Sequence, residues 1–118
     1  NSRSIPQTPV ASRNELLLKE FKTLLTQYFI EERQLAFYAE KLHVTPKYLS
    51  AAVKEASGKT AGDWIADMLI LEAKVLLQDK KLTIAQIAYT LKFTDPSHFG
   101  KFFKSQTEQS PLSYRNQI

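Results

Sequence analysis

A pattern of apolar residues occurs twice in this chain, and each copy spells a short helix, a tight turn and a second helix. Leu35, Ala39, Leu42, Val44, Leu49 and Val53, with Lys54, make the first copy; Ile84, Ala88, Leu91, Phe93, Phe99 and Phe103, with Lys104, make the second. The offset is 49 from Ala39 to Ala88 and from Val44 to Phe93, and 50 from Leu49 to Phe99 and from Val53 to Phe103. One offset per helix with a single step at the turn defines a duplicated helix-turn-helix, with one residue inserted in the second turn. Two such units restrict the chain to an all-helical fold and point to DNA.

Around the copies the periodicity supplies the remaining helices. Leu17, Leu18, Phe21, Leu24, Leu25, Tyr28 and Phe29 recur at helical spacing and predict an amphipathic helix from Asn14 to about Ile30. The first copy then reads as helices over Gln34 to Leu42 and Pro46 to about Ser57, with Thr45 as cap, Pro46 at the first helical position and Gly58 as stop. Thr60 caps the longest periodic segment, Ala61 to Asp79, which at 1.5 Å per residue is nearly 30 Å long. Thr83 caps a helix over Ile84 to Lys92, Asp95 and Pro96 begin one that runs to about Thr107, and Ser110 and Pro111 begin a last one through Tyr114. No run of alternating β-branched residues bounded by turns is present. The expected fold is all-α: seven helices, two helix-turn-helix subdomains and a long connecting helix. In domain terms, residues 1–13 read as a linker remnant or flexible terminus, polar and holding Pro6 and Pro9. The first unit covers about 14–60, the connecting helix 61–80 and the second unit 81–118.

Composition excludes more than it selects. A chain of 118 residues that is 43% hydrophobic forms modest cores, and its net charge of +4 favours a polyanionic partner only weakly. With no Cys there is no disulfide framework, thiolate nucleophile or Cys-containing zinc site, which fits a reducing compartment. His43 and His98 each stand alone, without a second His or Cys at ligand spacing, so neither metal binding nor general-base chemistry is expected and a solvated or phosphate-bonding role is. Three glycines build no phosphate loop, and paired catalytic carboxylates are missing. No enzyme, cofactor or metal is expected. No apolar stretch approaches a membrane span and no signal-peptide pattern opens the chain.

In a helix-turn-helix the second helix enters the major groove with its first turns toward base edges. Here those helices begin near Pro46 and Pro96. Helical phase sends Tyr48, Leu49, Ala52 and Val53 to the core of the first unit, leaving Lys47, Ser50, Ala51 and Lys54 for DNA. Phe99, Phe102 and Phe103 do the same in the second, leaving Ser97, Gly100, Lys101 and Lys104. Lys101 can reach a guanine edge or a phosphate, Gly100 allows close approach, and Ala51 suits a thymine methyl. Without a single Arg or Asn among them, shape readout is expected to share the work. Because one chain carries both units and the connecting helix is about one DNA turn long, a monomer can span two successive grooves. The alternative is a helical protein-interaction module that has lost DNA binding, suggested by the small charge surplus and by Glu108. RNA binding has no aromatic surface motif behind it.

The string Ile84-x-x-Ile87-Ala88-x-x-Leu91-Lys92-Phe93-x-Asp95-x-Ser97-His98-Phe99-x-Lys101-x-Phe103-Lys104, then Ser110-Pro111-x-x-Tyr114-Arg115, resembles the carboxy-terminal signature of AraC/XylS-type bacterial transcription regulators. Tyr38-Ala39-x-x-Leu42, Pro46-x-Tyr48-Leu49-Ser50 and Gly58-x-Thr60 are similar to that family's first unit. The resemblance implies the DNA-binding part of a transcription regulator, usually an activator, attached to a separate sensing or dimerising domain. It also implies a bacterial cytoplasmic setting, at the nucleoid when bound to DNA, and RNA polymerase as a partner of the full-length protein. By position it marks Lys47, Ser50 and Ala51, and Pro96, Ser97, Gly100 and Lys101, as DNA-contacting. This segment is expected to be monomeric, with any oligomerisation coming from the part before it. Two departures stand out: Lys92 and Glu108 replace glycines common in the family, and each is expected to be forced to positive φ at about 1 kcal/mol. The first unit's turn is expected to be plain.

Overall fold

The computed structural model describes residues 10–118, with side chains from Arg13 onward. Seven helices and no strand are present among these residues: α1 (Val10–Tyr28), α2 (Leu35–Lys41), α3 (Pro46–Ser57), α4 (Ala61–Leu77), α5 (Ile84–Thr90), α6 (Pro96–Thr107) and α7 (Pro111–Asn116). The duplication is visible in the bounds themselves, since α2 and α5 are related by 49 positions and α3 and α6 by 50. Thr94 is the inserted residue.

Each expected cap is made. The side chains of Thr45, Asp95 and Ser110 accept the backbone N–H of Tyr48, His98 and Ser113 at 3.0, 2.7 and 3.1 Å. Thr60 and Thr83 form reciprocal boxes, with Thr60 Oγ1 accepting from Asp63 N–H and Gln86 Oε1 accepting from Thr83 N–H. Pro46, Pro96 and Pro111 begin their helices directly after these caps, where a missing N–H costs nothing.

The differences from expectation have local causes. Helix α1 starts at Val10 rather than Asn14, because no breaker lies between Pro9 and Asn14 and Asn14 is not a cap. Its side chain is buried, and Nδ2 donates to Glu55 Oε1 at 2.6 Å. Of the linker expected over residues 1–13, residues 10–13 belong to α1 and residues 1–9 lie outside the described residues. Helix α4 ends at Leu77 rather than Asp79, about 25 Å after it starts.

The chain divides into two compact units, Asn1–Ile65 and Ala66–Ile118, and the division falls inside α4. In the first, α1 packs on α3 and α2 completes the core, which contains Phe21, Leu25, Tyr38, Leu49 and Val53. Phe21 meets Tyr38 edge to face at 5.4 Å, and Tyr38 Oη donates to Glu32 O at 2.6 Å. In the second, α5 and α7 pack on α6, and the buried residues include Leu77, Ile87, Leu91, Phe99 and Phe103. Arg115 of α7 donates to Leu77 O and Asp79 O, satisfying carbonyls at the end of α4.

Candidate nucleic-acid interface

Burial sorts the residues of α3 and α6 into two faces. Leu49, Ala52 and Val53 on α3, and Phe99 and Phe103 on α6, are buried. Lys47, Ala51 and Lys54 are exposed and Ser50 is half-buried; Ser97, Lys101 and Lys104 are exposed, while Pro96 and Gly100 are half-buried. At about 100° per residue, the exposed trio of each helix falls within about 60°. These are the side chains assigned to DNA from the sequence, and they occupy corresponding places in the two units.

Tyr48 corrects that assignment. It is 47% exposed, not core-directed. The buried stripe is centred on Leu49 and Val53, with Ala52 at its margin, so a phenol one turn before Ala52 clears the core. The signal was its repeat partner, His98, a polar ring in the second copy. Phe102 is half-buried rather than central, with its ring 5.4 Å from that of Phe93.

Neither helix has an acidic residue in its first turn, so the amino-terminal ends present N–H dipoles and lysines without a carboxylate on the helix itself. Asp95 places one carboxylate at the start of α6, bound to the His98 N–H, and the others come late, at Glu55 and Glu108. Glu55 is tied to Asn14, a contact that sequence periodicity gave no reason to expect. Lys54 Nζ donates to Gly58 O at 3.1 Å and so caps its own helix as well as facing outward.

The turns hold both units by the same means. Lys92 and Glu108 have φ of 65° and 67°, as anticipated for residues standing in glycine positions. His43 at 61° was not anticipated, and the first turn is therefore not the plain one. His43 corresponds to Lys92, so both short turns cross the left-handed region on a side chain; only Gly58, at 80°, does so without a Cβ. Behind α3 and α6 a hydroxyl ties the chain back. Ser57 Oγ bonds to Val53 O at 2.7 Å and accepts from Lys59 N–H, and Thr107 Oγ1 repeats this with Phe103 O at 2.9 Å and Gln109 N–H. Trp64 Nε1 also donates to Ser57 Oγ, while Lys59 Nζ lies 4.3 Å from the centre of the Trp64 ring.

Among the described residues no cluster of three or more His, Asp or Glu side chains is placed to hold a metal, and no helix is long and apolar enough to cross a membrane. A duplicated helix-turn-helix with two exposed, lysine-bearing second helices defines a class of nucleic-acid-binding domain.

Comparison with known proteins gives the family. Residues 38–117 match the family described as a helix-turn-helix domain, of AraC type, and the chain belongs to it. This is a family of DNA-binding regulatory domains and not of enzymes. The chain is 26% identical to the HTH-type transcriptional activator RhaS of Salmonella schwarzengrund over 89% of its own length and 38% of that protein's. It spans under two fifths of the curated relatives it matches. Among solved structures it is similar to the C-terminal domain of the two-component response regulator yesN from Fusobacterium nucleatum, with TM-score 0.74 and 26% identity over 87% of this chain and 97% of that one. It shares its fold with the DNA-binding domain of the global transcriptional factor AdpA, solved in complex with a target DNA, with TM-score 0.74 and 19% identity over 85% of this chain and 90% of that one. The all-helical, two-unit architecture read from the sequence is the architecture of this family.

Proposed function

We propose that residues 14–118 form the sequence-specific duplex-DNA-binding part of a bacterial transcription activator, with α3 and α6 in successive major grooves. The observation that carries this reading is the matched pair of exposed faces, each with its first turn free of acidic residues and each on the second helix of a helix-turn-helix unit. On α3, Lys47 reaches a phosphate or guanine edge, Ser50 bonds to either, and Ala51 packs against a thymine methyl. On α6, Lys101 takes the guanine or phosphate contact, Ser97 the polar one, and Gly100 lets the backbone approach the groove wall. Pro96 has no N–H and contributes apolar contact alone. Lys54 and Lys104, later in each helix, serve the phosphate chain. Because the two faces differ, the site is an asymmetric pair of short elements about one helical turn apart.

RhaS is named an activator, and the family and the reading of α3 and α6 support the same role here. In that role the full-length protein acts in the cytoplasm, contacts RNA polymerase and draws any oligomerisation from regions beyond this segment, which binds as a monomer. The test is selection from a random-sequence duplex pool, followed by binding across a salt series. Enrichment of two spaced elements supports the proposal. An unenriched pool with affinity governed by salt alone refutes sequence specificity, and no duplex binding at low salt favours a protein-interaction module instead.

A further inference from the structure

The residue that sets the second turn apart is Thr94, inserted between Phe93 and the cap Asp95. Its Oγ1 lies 3.1 Å from Nδ1 of His98. The imidazole also meets Phe93 edge to face, with centroids 5.4 Å apart and planes at 89°. Two contacts therefore fix the ring of an exposed residue at the third position of α6. Its backbone N–H is already bound by the Asp95 carboxylate at 2.7 Å, which commits that acidic group to the cap.

With Nδ1 engaged by Thr94, Nε2 is the nitrogen left for an outside partner. A neutral ring that accepts from the Thr94 hydroxyl carries its proton on Nε2, and the cation carries one on each nitrogen. Either form donates outward, and phosphate, which only accepts, selects between them and the remaining tautomer. The first unit has Tyr48 at the same place, 47% exposed, with its backbone N–H capped by Thr45. Each recognition helix thus carries an outward ring donor at its third residue, about 100° round from Ser97 or Lys47. That is the flank of the face formed by Lys47, Ala51 and Lys54 on α3 and by Ser97, Lys101 and Lys104 on α6.

Resting on the reading of α3 and α6 as DNA-facing helices, we propose that His98 Nε2 and Tyr48 Oη donate to backbone phosphates at the two elements, and that Thr94 is a positioning residue that holds His98 for its contact. The inserted residue is then the device by which the second unit replaces a phenol with an imidazole.

The experiment uses the duplex enriched from the random pool and a set of copies in which single phosphates are replaced by methylphosphonate. His98→Ala and Tyr48→Phe are expected to weaken binding about 5- to 30-fold, and Thr94→Val, which keeps the side-chain shape, about 3- to 10-fold. The double variant Thr94→Val/His98→Ala is expected to bind no more weakly than His98→Ala alone, since Thr94 acts through the ring. One methylphosphonate position should abolish the difference between wild type and His98→Ala, and a different one the difference between wild type and Tyr48→Phe. All three side chains are exposed, so melting temperatures should stay near wild type, and a purely structural role would move them instead. Wild-type affinity in the variants overturns the proposal, as do additive losses from Thr94 and His98, or losses that survive on every methylphosphonate duplex. A changed base preference in His98→Ala overturns it in favour of a base contact. Failure of the wild type to bind any duplex refutes the DNA reading itself.

Discussion

Gly100→Ala separates what the fold asks of α6 from what a ligand asks. Gly100 lies inside the helix Pro96–Thr107 without a left-handed backbone angle, and a Cβ built on it meets nothing within 4 Å. Nothing inside the chain requires glycine there. Alanine at an unobstructed helix-interior position is worth about 0.8–1 kcal/mol over glycine, in part because it narrows the unfolded ensemble. Calorimetric or circular-dichroism melts should accordingly show the variant more stable, at roughly 4–8 °C per kcal/mol for a domain of 60–100 residues. If α6 lies against a groove wall as proposed, the added methyl enters a close-packed surface at about 1–3 kcal/mol, which is about 5- to 150-fold in affinity. Fluorescence anisotropy with the selected duplex measures that loss. The two effects have opposite signs, so misfolding cannot imitate the result. A variant that is more stable and binds with unchanged affinity refutes the placement of Gly100 at the groove, and one that is less stable refutes the account of the space around it.

Lys101→Ala should weaken binding by about 1–3 kcal/mol and relax preference at the second element only, read by repeating the duplex selection with the variant. Glycine at His43, Lys92 or Glu108 should each raise stability in urea titrations by about 0.5–1 kcal/mol, the cost of positive φ being partly offset by the freedom glycine gains when unfolded; a loss at any of them contradicts strain at that turn. Burial, with the charge of Glu32 adding to it, pushes the Tyr38 phenol up from 10.0 to about 12. The unfolded chain ionises first, so this contribution is fully present below about pH 10 and is lost as pH rises toward 12, a fall of about 2–3 kcal/mol. Tyr38→Phe should flatten that part of the urea-midpoint profile, and an unchanged slope would assign the loss to other groups.

Much of the fold was legible because its signals are local. Thr45, Thr83, Asp95 and Ser110 each declare a helix start through one side chain and the N–H three residues on, and the structure makes every one of those bonds. The buried sides of α3 and α6 followed from Leu49, Val53, Phe99 and Phe103, whose spacing leaves one helical phase. What stayed hidden depends on neighbours distant in sequence or on backbone geometry. Asn14 carries no sequence sign of burial, yet Glu55, 41 positions away, accepts its hydrogen bond inside the unit. Tyr48 reads as core because aromatic residues usually are, and only the narrow width of the buried stripe puts it outside. His43 carries no turn signature of its own, and its positive φ becomes visible only by aligning it with Lys92 across the repeat.

That alignment also changes where the two units differ. With a plain turn in the first unit, positive φ at Lys92 and Glu108 would set the second unit apart. His43 removes half of that contrast, because the first turn carries the same left-handed side chain as the second. The remaining backbone difference is Gly58 against Glu108, at the far ends of α3 and α6 from their amino-terminal turns. At the face itself the changes are chemical: Lys47 against Ser97, Ala51 against Lys101, Ser50 against Gly100, and Tyr48 against a His98 braced by the inserted Thr94. Each face keeps two lysines, Lys47 and Lys54 against Lys101 and Lys104, so under the proposed DNA reading the two elements should show similar salt slopes when each is presented alone. A markedly shallower slope at the second element would mean that Lys101 does not take over the charge contact that Lys47 makes in the first.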